Sequence, residues 1–173
     1  MIRYLIMDVD GTLTDGKIYM GASGEVMKAF DIKDGCGIKD ILPRCYITPI
    51  IITARESKIL TNRCDELGIK HVYQGIRNKL EKLHSLVDDL SECAYIGDDI
   101  LDLQCMEPIK EARGIVGCPA DAAKKVLKIA DFISKKDGGN GAVSRNASVD
   151  FLPRKKHRNG SECFSCRTPL IWI

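Results

Sequence analysis

Asp8 and Asp10 stand one residue apart, directly after the apolar run Tyr4-Leu5-Ile6-Met7 and directly before Gly11. The run reads as a buried strand. Residues i and i+2 of a strand point to the same side, so both carboxylates can converge on one point beyond the sheet edge. Gly11 then lets the chain turn sharply away. Carboxylates this close repel, and such a pair shares a proton or a cation. A hard dication such as Mg²⁺ suits them, since it takes oxygen ligands and keeps positions open for water and phosphate. An aspartate pair before a glycine is by itself more often a plain turn, but three further pieces follow in order. Thr53 ends the run Ile50-Ile51-Ile52, where a hydroxyl and backbone N–H groups can cradle a phosphate. Lys79, in Gln74-Gly75-Ile76-Arg77-Asn78-Lys79, can set a point charge on a phosphate oxygen. Asp98, Asp99 and Asp102 follow Ala94-Tyr95-Ile96-Gly97. Each piece alone has an ordinary explanation: a helix cap, a surface lysine, acids favouring a helix dipole.

The elements that must position these residues alternate. Strand-like runs end at Met7, Thr53, Tyr73, Gly97, Val116 and Ile133. Helical spacing marks Leu60, Cys64 and Leu67 before Gly68, then Leu80, Leu83, Val87 and Leu90 as one helix. Residues 100–106 read as a helix stopped near Pro108, and residues 122–129 as another. Two strand-like runs around Gly21-Ala22-Ser23-Gly24 signal a hairpin over residues 17–30. Residues 31–37 read as a polar, glycine-rich loop, and residues 38–42 as a short helix ending before Pro43. Strands alternating with helices give an α/β fold with a parallel sheet. Ligands of such sheets bind beyond the carboxyl ends of the strands, where Asp8, Thr53 and Asp98 fall.

A chain of 173 residues supports one domain with a real core. No apolar run approaches the ~20 residues that span a bilayer, and the start lacks a signal-peptide layout, so a cytoplasmic protein is expected. The scattered cysteines read as buried thiols of a reducing compartment, not disulfides. Net charge is +2, but residues 151–173 hold five Lys/Arg against one acid. That segment is about +4, which leaves the rest at about −2. A body of that charge argues against a nucleic-acid surface.

The stretch Asp8-Val9-Asp10-Gly11-Thr12-Leu13-Thr14-Asp15-Gly16 resembles the first motif of the haloacid dehalogenase superfamily of phosphohydrolases. Thr53, Lys79 and Gly97-Asp98-Asp99 match its other three motifs. Phe30-Asp31-Ile32-Lys33-Asp34-Gly35, Ile52-Thr53-Ala54-Arg55, Gln74-Gly75 and Tyr95-Ile96-Gly97-Asp98-Asp99 resemble, more narrowly, the 3-deoxy-D-manno-octulosonate 8-phosphate phosphatases. The likeness runs to Gly138-Gly139-Asn140-Gly141-Ala142-Val143. It implies a Rossmann-like three-layer α/β sandwich with a mainly parallel sheet, a small β-hairpin insertion and no cap domain. It implies Asp8 as nucleophile forming an aspartyl-phosphate, Asp10 as general acid then base, and Thr53 and Lys79 holding the phosphoryl oxygens. Mg²⁺ would be held by the Asp8 carboxylate, the Asp10 backbone carbonyl and Asp98, while Asp99 and Asp102 orient its waters and Lys79. Arg55 would face a sugar carboxylate, with Lys33 and Asp34 in the substrate loop.

Neither the gap from Gly16 to Thr53 nor that from Thr53 to Lys79 holds a cap domain. Similar capless phosphatases form homotetramers whose neighbours supply the lid, and the hairpin is the candidate interface. The phosphatase domain is expected over residues 1–152. Residues 153–173 read as a basic, disordered tail in which Cys163 and Cys166, with His157, are half a zinc site at most. The alternatives are a nonulosonate 9-phosphate phosphatase, a broad sugar phosphatase, and a catalytically silent assembly partner.

Overall fold

Apolar runs become strands in the expected order: β1 (Tyr4–Met7), the hairpin β2 (Tyr19–Gly21) and β3 (Gly24–Met27), β4 (Thr48–Ile52), β5 (His71–Tyr73), β6 (Cys93–Ile96), β7 (Ile115–Cys118) and β8 (Phe132–Ile133). Between them lie helices α1 (Ile32–Cys36), α2 (Lys58–Leu67), α3 (Lys79–His84), α4 (Leu103–Glu111) and α5 (Lys124–Ile129). The computed structural model describes residues 1–144, so the expected tail at 153–173, with His157, Cys163 and Cys166, lies outside the described residues. The main sheet is parallel, in the order β5-β4-β1-β6-β7-β8, and the hairpin stands apart as a two-stranded antiparallel sheet.

The central strands are buried on both faces, which is why they read as unbroken apolar runs. One face packs Leu5, Met7 and Ile51 against Ile38, Leu42, Leu60 and Cys64 from α2 and the segment before β4. The other packs Ile6, Ile50, Ile52 and Tyr95 against Leu83, Met106, Ile109 and Val126 from α3, α4 and α5. This is a three-layer sandwich. Chain progression reverses at β1, which has β4 on one side and β6 on the other. The crevice beyond the ends of β1, β4 and β6 is therefore a topological switch point. Cys36, Cys64, Cys93, Cys105 and Cys118 are free thiols.

Three elements differ from the sequence expectation. Residues 31–37 are not a loop. Asp31 caps α1 by accepting the Lys33 N–H at 2.6 Å, and the helix continues as a π-helical turn over Gly37–Ile41 and a 3₁₀ turn over Leu42–Cys45 that includes Pro43. Its glycines mark close contacts: a Cβ at Gly35 would run into the Arg63 guanidinium, and one at Gly37 would lie 3.3 Å from Ser144. The helix expected through Leu90 stops at His84, because the Ser85 hydroxyl bonds back to the Lys82 carbonyl at 2.7 Å and Asp89 caps a separate 3₁₀ turn over Leu90–Glu92. Pro108 does not stop α4. The fully buried Cys105, Met106 and Ile109 hold the helix on the sheet through the missing N–H, and the Pro108 carbonyl still accepts from Ala112 at 3.0 Å.

Candidate active site

The β1 ladder aligns Met7 with Ile51 on one side and with Ile96 on the other. Asp8, Thr53 and Asp98 consequently leave three neighbouring strands at the same edge. The Asp8 N–H donates to the Ile96 carbonyl at 3.0 Å, and the chain then wraps the Val9 carbonyl, which accepts from Thr12, Leu13 and Thr14 at 3.2, 2.9 and 3.0 Å. Gly11 has a φ of +94°, and a Cβ there would collide with the Asp98 carboxylate. Thr53 is buried and fixed through its backbone, donating to the Tyr73 carbonyl and accepting from Ile76, each at 3.0 Å.

Lys79 is 2% exposed and opens α3, whose cap is Asn78. Its ammonium donates to Asp8 Oδ1 and to Asp102 Oδ1, each at 2.7 Å. Asp102 is saturated by protein donors. Tyr95 Oη adds a bond to Oδ1 at 2.8 Å, and the Asp98 and Asp99 N–H groups bond Oδ2 at 3.0 and 3.1 Å. Asp98 gives one oxygen to the Thr12 hydroxyl at 3.0 Å. Asp102 is thus the residue that orients Lys79. The expected partner in that role, Asp99, is exposed and caps its own turn through Ile100 N–H at 2.7 Å.

Asp8, Asp98 and Asp102 each offer an oxygen within 4.8 Å of the others. Three carboxylates facing one ammonium leave the pocket two charges negative, a charge that a dication cancels. The donor set is all oxygen, as Mg²⁺ requires. Because Asp102 is used by its donors, Asp8 and Asp98 are the carboxylates with capacity for a cation.

Burial, aided by Asp102, pushes the Asp8 carboxyl up to about 6 against the opposing pull of Lys79. Burial, with Asp8 and Asp102, pushes Asp98 up to about 7. Burial alone would lower Lys79, but Asp8 and Asp102 outweigh it and raise it. Both aspartates thus hold protons in the folded protein at pH 5 that they lose in the unfolded chain. The folded state binds more protons, so these groups make stability fall as pH rises from about 4 through 7 and level off above. Thermal melts in chelator should show that slope. Added Mg²⁺ should reverse it, because the cation displaces those protons and binds better as pH rises. Melts that are flat over pH 5–8 with and without Mg²⁺ would contradict this account.

Asp10 turns the other way. Its Oδ1 accepts from Lys28, and its Oδ2 lies 4.0 Å from Arg55 Nε. Arg55 donates from Nη2 to Glu25 Oε1 at 3.1 Å, while its buried Nη1 has no partner. Lys33 is exposed in the first turn of α1. Asp34 does not reach the surface: it is 2% exposed and accepts the Ser144 N–H at 2.6 Å. Burial pushes its carboxyl up to about 6. The Gly138-Gly139 segment seals the first-motif loop from behind. Gly139 N–H donates to the Thr12 carbonyl at 3.2 Å, and a Cβ on Gly138 would overlap the Gly11 carbonyl.

The structure therefore gathers Asp8, Lys79, Asp98 and Asp102 in one buried cluster and sets Asp10 with Arg55 at its rim. Lys28, Glu25, Tyr95 and Thr12 belong to the same arrangement and were not singled out by the sequence. The hydroxyls of Tyr95 and Thr12 lie inside the motifs themselves. Lys28 and Glu25 carried no signal beyond their place in the hairpin.

No family model matches the chain. The 3-deoxy-D-manno-octulosonate 8-phosphate phosphatase of Escherichia coli (strain K12) is 43% identical over 163 residues, spanning 90% of this chain and 82% of that protein. The phosphatase of that name from Moraxella catarrhalis, solved in complex with a magnesium ion, a phosphate ion and a KDO molecule, superposes with a TM-score of 0.78 at 38% identity, over 86% of this chain and 84% of that one. A structure from Legionella pneumophila, described as a putative hydrolase of the haloacid dehalogenase superfamily, gives a TM-score of 0.72 at 37% identity, over 84% and 80%.

Proposed function

Because the chain belongs to the 3-deoxy-D-manno-octulosonate 8-phosphate phosphatases of the haloacid dehalogenase superfamily, we propose that its buried aspartate–lysine cluster hydrolyses that sugar phosphate with Mg²⁺. The observation that carries the reading is Lys79, a fully buried ammonium held between Asp8 and Asp102 at 2.7 Å each. Such a charge is retained where an anion must be received.

In this mechanism an Asp8 carboxylate oxygen attacks phosphorus in line with the leaving sugar oxygen. An aspartyl-phosphate forms and the P–O bond to the sugar breaks. Asp10 gives its proton to the departing oxygen, then takes one from the water that hydrolyses the aspartyl-phosphate. Lys79 neutralises phosphoryl charge from the position it already holds beside Asp8, and Thr53 bonds a phosphoryl oxygen from the end of β4. Asp8, Asp98 and the Asp10 backbone carbonyl would hold Mg²⁺, which offsets repulsion between the anionic nucleophile and the anionic phosphate. The Arg55 guanidinium, whose side chain is partly exposed, would bind the sugar carboxylate, and Lys33 adds positive charge from α1. Asp34 holds the backbone of Ser144 instead.

The test is phosphate release from a panel with Mg²⁺ and with chelator: the octulosonate 8-phosphate, nonulosonate 9-phosphates and neutral hexose phosphates. Magnesium-dependent turnover favouring the octulosonate is the expected result. A preference for the nonulosonates, or none, would replace the substrate while keeping the chemistry.

A homotetramer is the assembly we assign, with the hairpin as its interface. Its strands and flanks expose Ile18, Met20, Val26 and Met27 at 49–64%, an apolar surface of the kind buried between subunits. Neighbouring chains would then cover a crevice that no cap domain shields among the described residues. Light scattering should find four subunits, and Met20→Glu with Val26→Glu should release smaller species. A monomeric parent protein at micromolar concentration would remove the assignment. Among the described residues no helix is long and apolar enough to cross a membrane. The cytoplasm is the compartment we assign, since its reducing poise suits the free thiols.

A further inference from the structure

The hairpin carries more than an apolar surface. Lys28 directly follows β3, and its side chain is 1% exposed. Its ammonium donates to Asp10 Oδ1 and lies 3.2 Å from Glu25 Oε1. Glu25 in turn accepts from Arg55 Nη2 at 3.1 Å and, on its other oxygen, from the Ser57 hydroxyl that caps α2. Arg55 Nε closes the circuit 4.0 Å from Asp10 Oδ2. Asp10, Lys28, Glu25 and Arg55 thus form a ring of alternating charge in which each oxygen of Asp10 faces a cation.

Burying an ammonium costs several kcal/mol unless its partners are well placed. A partly buried carboxylate that one solvated cation could satisfy needs no such group. Lys28 also comes from a piece of chain outside the sheet that carries Asp10. What the ring does provide is direction. It holds both oxygens of the Asp10 carboxylate on Lys28 and Arg55, outside the group of Asp8, Asp98 and Asp102 whose oxygens lie within 4.8 Å of one another. A group that moves protons must first be in place.

We propose that Lys28 is the positioning residue for Asp10, holding its carboxylate on the leaving-group side, with Glu25 setting the distance between Lys28 and Arg55. The inference rests on the acid–base role of Asp10 proposed above. The hairpin is on this account part of the catalytic apparatus.

The experiment compares a poor leaving group with one that departs without a proton. For Lys28→Met, kcat/KM toward the octulosonate 8-phosphate should fall about 100-fold, within the range of a lost general acid. Toward p-nitrophenyl phosphate it should fall less than about threefold, because nitrophenolate needs no protonation. The hydrolysis of the aspartyl-phosphate, which also uses Asp10, should slow and produce a burst of nitrophenolate. Lys28→Arg should recover part of the loss. Binding of the octulosonate phosphate to an Asp8→Asn protein should be unchanged by adding Lys28→Met, which separates positioning from substrate capture. Equal losses on both substrates would make Lys28 merely structural, a binding loss that accounts for the whole effect would assign it to the substrate, and no loss would remove it; each overturns the proposal. A parent enzyme that hydrolyses nitrophenyl phosphate but not the octulosonate phosphate would count against the substrate alone. Lys28 is then judged with the alkyl phosphate of the panel that the parent turns over best. A parent that hydrolyses neither overturns both.

Discussion

Asp8→Asn is expected to abolish phosphate release from every substrate while leaving the fold intact. Removing a nucleophile that acts as one unit with its neighbours costs on the order of 10⁶ in kcat, so residual turnover should fall below detection. The fold should survive for an electrostatic reason. Asp8 is buried near Asp98 and Asp102, and its carboxyl is pushed up to about 6, mainly by burial. At pH 8 its ionised form is therefore held at a cost in the folded protein. The neutral amide keeps an oxygen for Lys79 and removes one of three negative charges, so in chelator the variant should melt at or above the parent temperature. With Mg²⁺ the order should reverse, since the variant has lost a ligand. The parent, quenched in acid during turnover, should carry one phosphoryl group on the peptide containing Asp8, and the variant none. Turnover within tenfold of the parent would show that water attacks phosphorus directly and would sink the covalent mechanism. A parent with no turnover, beside a variant that assembles normally, would leave the silent assembly partner as the better account.

Much of this site was legible because short-range rules governed it. The run Tyr4-Leu5-Ile6-Met7 had to be a strand and delivered Asp8 to its carboxyl end, but the strand stops at Met7, so the alternation expected to bring Asp10 beside Asp8 does not reach it and Asp10 pairs with Lys28 instead. Similar runs delivered Thr53 and Asp98 to the same edge. The burial of Lys79 was not legible: one lysine at a helix start reads as solvated, and only the fold brings Asp8 and Asp102 to either side of it. Residues 31–45 misled for a related reason. Gly35 and Gly37 look like turn residues, but they lie in helical turns against which the Arg63 guanidinium and Ser144 pack closely. Pro108 misled because burial of its neighbours outweighs one missing hydrogen bond. Lys28 and Asp10 meet through a hairpin whose placement depends on Glu25 reaching Arg55 and Ser57. No local periodicity encodes a contact between elements that belong to different sheets.

Lys79→Met tests how far that buried charge serves stability as well as chemistry. Methionine keeps most of the volume of the lysine stem, so packing against its surroundings changes little. What changes is charge. Asp8 and Asp102 lose the cation that bonds both at 2.7 Å, and breaking a buried pair from one side costs about 3–5 kcal/mol. At roughly 2–4 °C per kcal/mol for a domain of this size, the melting temperature in chelator at pH 8 should drop by about 10 °C. The loss should shrink toward pH 5, because carboxyls already pushed upward by burial accept protons once the ammonium is gone. Asp102→Asn in the Lys79→Met background should recover part of the stability, a positive coupling expected only if the two side chains share one charge balance. Recovery of stability should not bring back turnover, since the phosphoryl group still lacks its cation, a deficit of about 10²–10³ in kcat. Melts that match the parent at pH 8 would mean that solvent reaches this cluster freely, and the argument from its buried charge would fall with them.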